Sequence, residues 1–186
     1  MARLPYVIPE KASPEVQQTF GQLPTVLNLF KMIANAETSF RPLVRLGSAI
    51  LAQQKLSPKL RELAILRVAN LSGCRYEWLQ HVSLAMLMGA TRSQVDTIEK
   101  GDIHAGCFDE VEQLVLEFAT EVMYEVRCSD PSLARMRAHF SPQEIVELVI
   151  AIGYYMMIAR ICETTGVDIE PPSEQAATQA RNWKPR

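Results

Sequence analysis

Leu60-Arg-Glu-Leu-Ala-Ile-Leu-Arg-Val-Ala-Asn-Leu-Ser-Gly-Cys-Arg-Tyr-Glu-Trp-Leu-Gln-His81 is the stretch that decides how this chain folds. Ser57-Pro58 just before it supplies a helix N-cap and a proline at the first helical position. Ser72-Gly73 breaks that helix, and a second one begins near Cys74. On the second helix Cys74, Glu77, Trp78 and His81 fall at i, i+3, i+4 and i+7, with Ala85 and Met88 continuing the stripe. A thiol, a carboxylate and an imidazole on one half-buried face need partners, because unpartnered burial of ionisable groups is costly. Two readings stay open at this point: a surface Glu77–His81 pair with Trp78 covering core, or a reaction site. Glu62 interrupts the apolar run Leu60, Leu63, Ala64, Leu66, and a hairpin at Ser72-Gly73 would fold it back towards His81. A carboxylate beside an imidazole fixes its tautomer and stabilises the imidazolium, which is an acid–base device.

Similar punctuation runs outward in both directions. Ser13-Pro14 and Ser141-Pro142 repeat the Ser-Pro start, and Thr91 to Gln94 and Ser141 to Glu144 read as capping boxes. Helices are expected near 14–22, 25–34, 37–53, 58–72, 75–89, 92–100, 109–126, 131–139 and 142–162, with almost no period-two alternation to suggest strands. The predicted class is all-α. Leu56-Ser-Pro-Lys-Leu-Arg-Glu-Leu and Phe140-Ser-Pro-Gln-Glu-Ile-Val-Glu-Leu echo one another, which suggests two related helical hairpin halves. A single domain over 1–170 is expected, followed by an exposed Pro-, Gln- and Ala-rich arm at 171–186 that carries Trp183.

Composition narrows the function. The chain has 186 residues, 48% of them hydrophobic, and a net charge of −2, so it is too apolar for disorder and has no excess of basic residues for nucleic acid or an anionic membrane surface. The apolar run Leu148 to Ala159 is too short to span a bilayer, and the start shows no secretory leader. Cys74, Cys107, Cys128 and Cys162 form no C-x-x-C pair and suit free thiols in the cytoplasm. His104 and His139 lie far from His81, so no zinc site is expected, and no Gly-rich phosphate loop calls for a nucleotide. The Ser-Pro-Lys-Leu opening looks superficially like a helix-turn-helix regulator, but no basic recognition helix follows it. The expectation is therefore no cofactor, no metal, and a small molecule as partner.

The Glu62–Cys74–Glu77–His81 spacing resembles the signature of the carboxymuconolactone decarboxylase family, whose fold is shared with alkylhydroperoxidase D. The peroxidase branch carries Glu, eleven residues, then C-x-x-C-x-x-x-H. Here Glu62 precedes Cys74 by that interval, Glu77 stands in place of the second cysteine, and His81 closes the motif. The likeness spans roughly 35–165, including Gly153-Tyr154-Tyr155-Met156-Met157 and Thr165-Gly166-Val167, and is most specific in Arg61-Glu62-Leu63 and Tyr76-Glu77-Trp78-x-x-His81.

The resemblance implies a small carboxylate or lactone as substrate and a cytoplasmic homo-oligomer, trimer or hexamer. With Glu77 at the position of the peroxide-attacking cysteine, the family's disulfide cycle cannot run in its usual form. The preferred expectation is decarboxylation or proton transfer, with His81 as proton donor, Glu77 as its partner or base, and Glu62 as orienting group. The alternative is a hydroperoxide reductase working through Cys74. Tyr76 and Trp78 are candidate substrate contacts. Arg61 and Arg67 are candidate carboxylate clamps, against the plain alternative of solvated or ion-paired arginines.

Overall fold

The computed structural model describes residues 1–170; the expected arm at 171–186, with Trp183, lies outside them. The described residues are helical and contain no strand. After a 3-10 turn at Pro9–Lys11 come α1 (Pro14–Phe20), α2 (Asn28–Ile33), α3 (Glu37–Ala52), α4 (Pro58–Ser72) and α5 (Arg75–Leu87). They are followed by α6 (Arg92–Lys100), α7 (Glu110–Glu125), α8 (Asp130–His139) and α9 (Pro142–Thr165).

The boundaries have local causes. Thr91, Asp109 and Ser141 each accept a bond from the third backbone N–H of the helix they open, and the side chains of Gln94, Glu112 and Glu144 return the bond. Ser13 and Ser57 make no such side-chain cap, so the prolines behind them set the entry to α1 and α4. Gly73, at φ +63°, closes α4 in the left-handed conformation, and the backbone turns directly into α5. The 24-residue α9 runs three residues beyond the expected end, to Gly166. By length and composition it could cross a membrane. In the fold its Leu148, Ala151, Ile152, Tyr155, Ile158 and Ala159 are buried in the core.

α4 is the axis of the molecule, packed by α5, α6, α7 and α9. Every residue from Arg61 to Ala69 is buried, so this stretch of the helix has no solvent face on which to place a charge. On one side Ala64, Ile65 and Val68 join α7, α8 and α9. On another Leu63, Leu66 and Ala69 join α5 and α6, with Trp78, Leu79 and Val82. A third cluster gathers the N-terminal segments around Phe40, Cys74, Tyr76, Ile158 and Cys162. Each fully buried Leu, Ile or Phe contributes about 1.5–3 kcal/mol of transfer free energy, which holds the polar residues of α4 in place.

Candidate acid–base site

Glu62 lies in the first turn and a half of α4 and is 1% exposed. Its Oε2 is 2.8 Å from His81 Nδ1 on α5, so the hairpin at Gly73 does return it to the imidazole. Its Oε1 accepts from Arg61 Nε at 3.3 Å and Nη2 at 3.2 Å. A buried carboxylate thus stands between a guanidinium and an imidazole, with both oxygens used. The edge of Tyr155 meets the His81 ring at 4.7 Å between centroids and 85° between planes, which fixes the imidazole from α9. Burial, then the Glu62 charge, holds the Tyr155 hydroxyl well above its usual pKa, so it stays protonated.

His81 also forms part of the wall of a cavity of about 340 Å³ between α5, α9, α3 and the segment that enters α2. With Nδ1 taken by Glu62, Nε2 is the nitrogen left for a molecule in that space. Most of the wall is apolar: Leu27, Leu29, Phe30, Val44, Leu84 and Ile158 are representative. Glu77, one helical turn before His81, is its acidic member and is 2% exposed. Among the described residues neither carboxyl oxygen of Glu77 has a hydrogen-bond partner. Burial, followed by repulsion from the Cys74 and Glu163 side chains, pushes its pKa well above the usual carboxylate value, which favours the protonated form. The expectation that Glu77 is the partner of His81 is therefore corrected: Glu62 takes the partner's place, and Glu77 lies on the cavity wall.

Two further contacts shape the walls. A Cβ on Gly47 would lie 2.6 Å from the Tyr154 hydroxyl, so the glycine lets α3 and α9 close on one another. The same hydroxyl donates to the Leu43 carbonyl at 3.1 Å, and burial pushes its pKa up to about 12. At the other side, the Glu170 carboxylate accepts from the Asn28 backbone N–H at 2.7 Å, the Tyr76 hydroxyl at 2.8 Å and Gln80 Nε2 at 2.8 Å. That triple contact ties the start of α2 and the chain's exit from α9 to α5, over residues that line the cavity.

The remaining candidates divide. Tyr76 lines the cavity, although its hydroxyl is spent on Glu170. Trp78 does not line it: it packs with Leu63, Leu79 and Val82 in the α4–α5–α6 cluster. The stripe that faces the cavity is Glu77, Gln80, His81 and Leu84, rotated away from the expected face. Arg61 backs Glu62 and is absent from the wall, so as a substrate clamp it is corrected to a buried ion-pair partner. Arg67 likewise lies off the wall, with Nε donating to Thr120 and Nη1 to Asn70. Cys74 is fully buried at the N-cap of α5, behind the wall and in the same core cluster as Cys162 of α9. Tyr155, Tyr154, Gly47 and residues 23–30 complete the site. The tyrosines fall inside the family-like stretch of α9, but only the fold brings the 23–30 segment over α5. Among the described residues no three His, Cys, Asp or Glu side chains gather as metal ligands.

Comparison with known proteins agrees with this fold. Residues 37–121 match the model of the carboxymuconolactone decarboxylase family. No curated protein matches the sequence. The fold is similar to the alkylhydroperoxidase AhpD core of an uncharacterised peroxidase-related protein from Ralstonia eutropha JMP134, at TM-score 0.79 and 16% identity over 98% of both chains. An uncharacterised peroxidase-related protein from Silicibacter sp. TM1040 gives TM-score 0.75 and 16% identity, over 97% of this chain and 96% of that one. The debrominase Bmp8, as a cysteine-to-alanine variant in complex with 2,3,4-tribromopyrrole, gives TM-score 0.71 and 14% identity over 90% of each chain. Residues 37–121, which hold Glu62, Glu77 and His81, thus resemble the carboxymuconolactone decarboxylase family, and the chain has an AhpD-like helical fold.

Proposed function

We propose that the protein is a cofactor-independent carboxy-lyase that acts on a small, largely apolar carboxylic acid or lactone. One observation carries the reading: His81 is held by Glu62 at 2.8 Å on one ring nitrogen and meets an apolar cavity with the rest of the ring. With His81 protonated, Arg61, Glu62 and His81 sum to one positive charge, which is what a single substrate carboxylate needs in a wall that, among the described residues, has no lysine or arginine. Carbon dioxide then leaves, its bonding pair stays on the substrate as an enolate, and His81 delivers a proton to that charge. Glu77, neutral and unpartnered, donates a hydrogen bond to the enolate oxygen as the charge develops. Low polarity favours the step, because the charge spreads from a compact carboxylate over a larger framework; the wall of leucines, Phe30, Val44 and Ile158 supports it.

Cys74 lies behind that wall rather than on it, which favours proton transfer over thiol chemistry as the business of the cavity. The test is a panel of small β-keto acids and lactones assayed for released carbon dioxide. Turnover is expected for members that carry one carboxylate and an apolar remainder. Release at the uncatalysed rate across the whole panel would overturn the reading.

A further inference from the structure

We propose that the outer face of α9 is a self-association surface, on which a second copy of this chain lays its own α9, antiparallel and crossing at Gly153. From Leu148 to Ala159 the helix carries no charged side chain, and a helix that is apolar all round is one that is buried all round. The fold meets that only in part: 44% of the most apolar 18-residue stretch of α9 is buried. Val146 is left 56% exposed, Val149 41% and Ile150 42%. At about 100° per residue these surround Gly153, and a groove continues from it past Met157 to Arg160 and Ile161. Gly153 itself is the second observation. A glycine inside a helix is less favourable than alanine, and nothing within this chain requires one here: a Cβ at this position would meet no atom within 4 Å. The gap it leaves opens outward, where a glycine lets another backbone come close.

Area and charge select a second copy as the occupant. The 24 residues of α9 rise about 36 Å, and α3, packed alongside with Leu46 41% exposed, widens the face to about 20 Å. The face therefore supplies roughly 700 Å², within the range of about 600–1,000 Å² that each partner buries in a standard interface. Arg160, the only basic residue of α9, follows Gly153 by two turns, and Glu144 and Glu147 lie on the other side of it. An antiparallel pair about Gly153 sets each Arg160 over the acidic end of the other helix, whereas a parallel pair would set Arg160 on Arg160. Three acids against one arginine on α9 are the wrong balance for an anionic lipid surface.

The experiment measures the mass of the full chain in solution by size exclusion with light scattering, for wild type and Gly153→Glu, with circular dichroism on both. Wild type should contain an even number of chains. A side chain at position 153 has room within one copy, so Gly153→Glu should keep the helical signal while its mass falls to half that of wild type. Gly153→Cys, treated with a short bismaleimide, supplies a reading that does not depend on how the glutamate variant folds: a covalent pair of chains that wild type does not form. A monomeric or odd-numbered wild type, a folded Gly153→Glu at the wild-type mass, or Gly153→Cys labelled without pairing would each overturn the proposal. So would a monomer that sediments with phosphatidylcholine–phosphatidylglycerol vesicles and is released by Gly153→Glu, which would assign the face to a bilayer. None of these readouts involves carbon dioxide release, so this surface and the lyase reading fail separately.

Discussion

Glu77 should make the folded protein less stable as pH rises, and Glu77→Gln should remove that dependence. The carboxyl is buried, has no hydrogen-bond partner among the described residues, and binds its proton more tightly folded than unfolded. Above the ordinary glutamate value the unfolded chain has lost this proton while the folded chain keeps it. Unfolding then releases a proton, so stability falls with pH until the folded-state value is passed. Within that window the slope is about 1.4 kcal/mol per pH unit for one group. Between about pH 5.5 and about pH 7 wild type should therefore lose stability relative to Glu77→Gln. Glutamine is neutral at every pH, and its own packing cost is a constant offset. Groups common to both chains cancel in the difference, so urea melts of the two proteins at both pH values isolate the effect. A gap that does not change with pH would mean that Glu77 is ionised when folded, and its role as hydrogen-bond donor would fall with it.

Other perturbations probe the supports of the site. Glu62→Ala should destabilise by about 3–5 kcal/mol in urea melts, because it leaves Arg61 buried without its carboxylate and His81 without its anchor. A cost below about 1 kcal/mol, typical of an exposed pair, would contradict the buried geometry. Gly47→Ala should cost about 1–3 kcal/mol by thermal melt, since its methyl would meet the Tyr154 hydroxyl and force α3 from α9.

Much of the hairpin was legible from the residues because its signals are local. Ser57-Pro58, Gly73 and the capping residues Thr91 and Ser141 act within a turn of themselves, and the observed α4, α6 and the start of α9 fall where they predict. The approach of Glu62 to His81 was legible for a similar reason: a charge inside an apolar helix next to a tight turn has few places to go. The face of α5 was not. Its residues are buried on several sides, by α4 and α6 as well as by the cavity, so spacing alone could not tell the wall from the core, and Trp78 was placed on the wrong side. The arginines misled for a related reason. An arginine flanking a buried acid reads equally as clamp or counter-ion, and only the third dimension shows that Arg61 stands behind Glu62. The 23–30 wall depends on contacts such as Asn28 with Glu170, 142 residues away in sequence, which no local pattern encodes.

The central claim is that His81, oriented by Glu62, moves the proton in this cavity and that sulfur does not. The rate of carbon dioxide release by His81→Ala and by Cys74→Ser, measured beside wild type on the best acid from the panel with folding checked by circular dichroism, tests it most directly. The account predicts a loss of about 100-fold or more for His81→Ala, in the range of general acid–base catalysis, and retained turnover for Cys74→Ser. Full turnover without the imidazole, or its loss with the thiol alone, would contradict it.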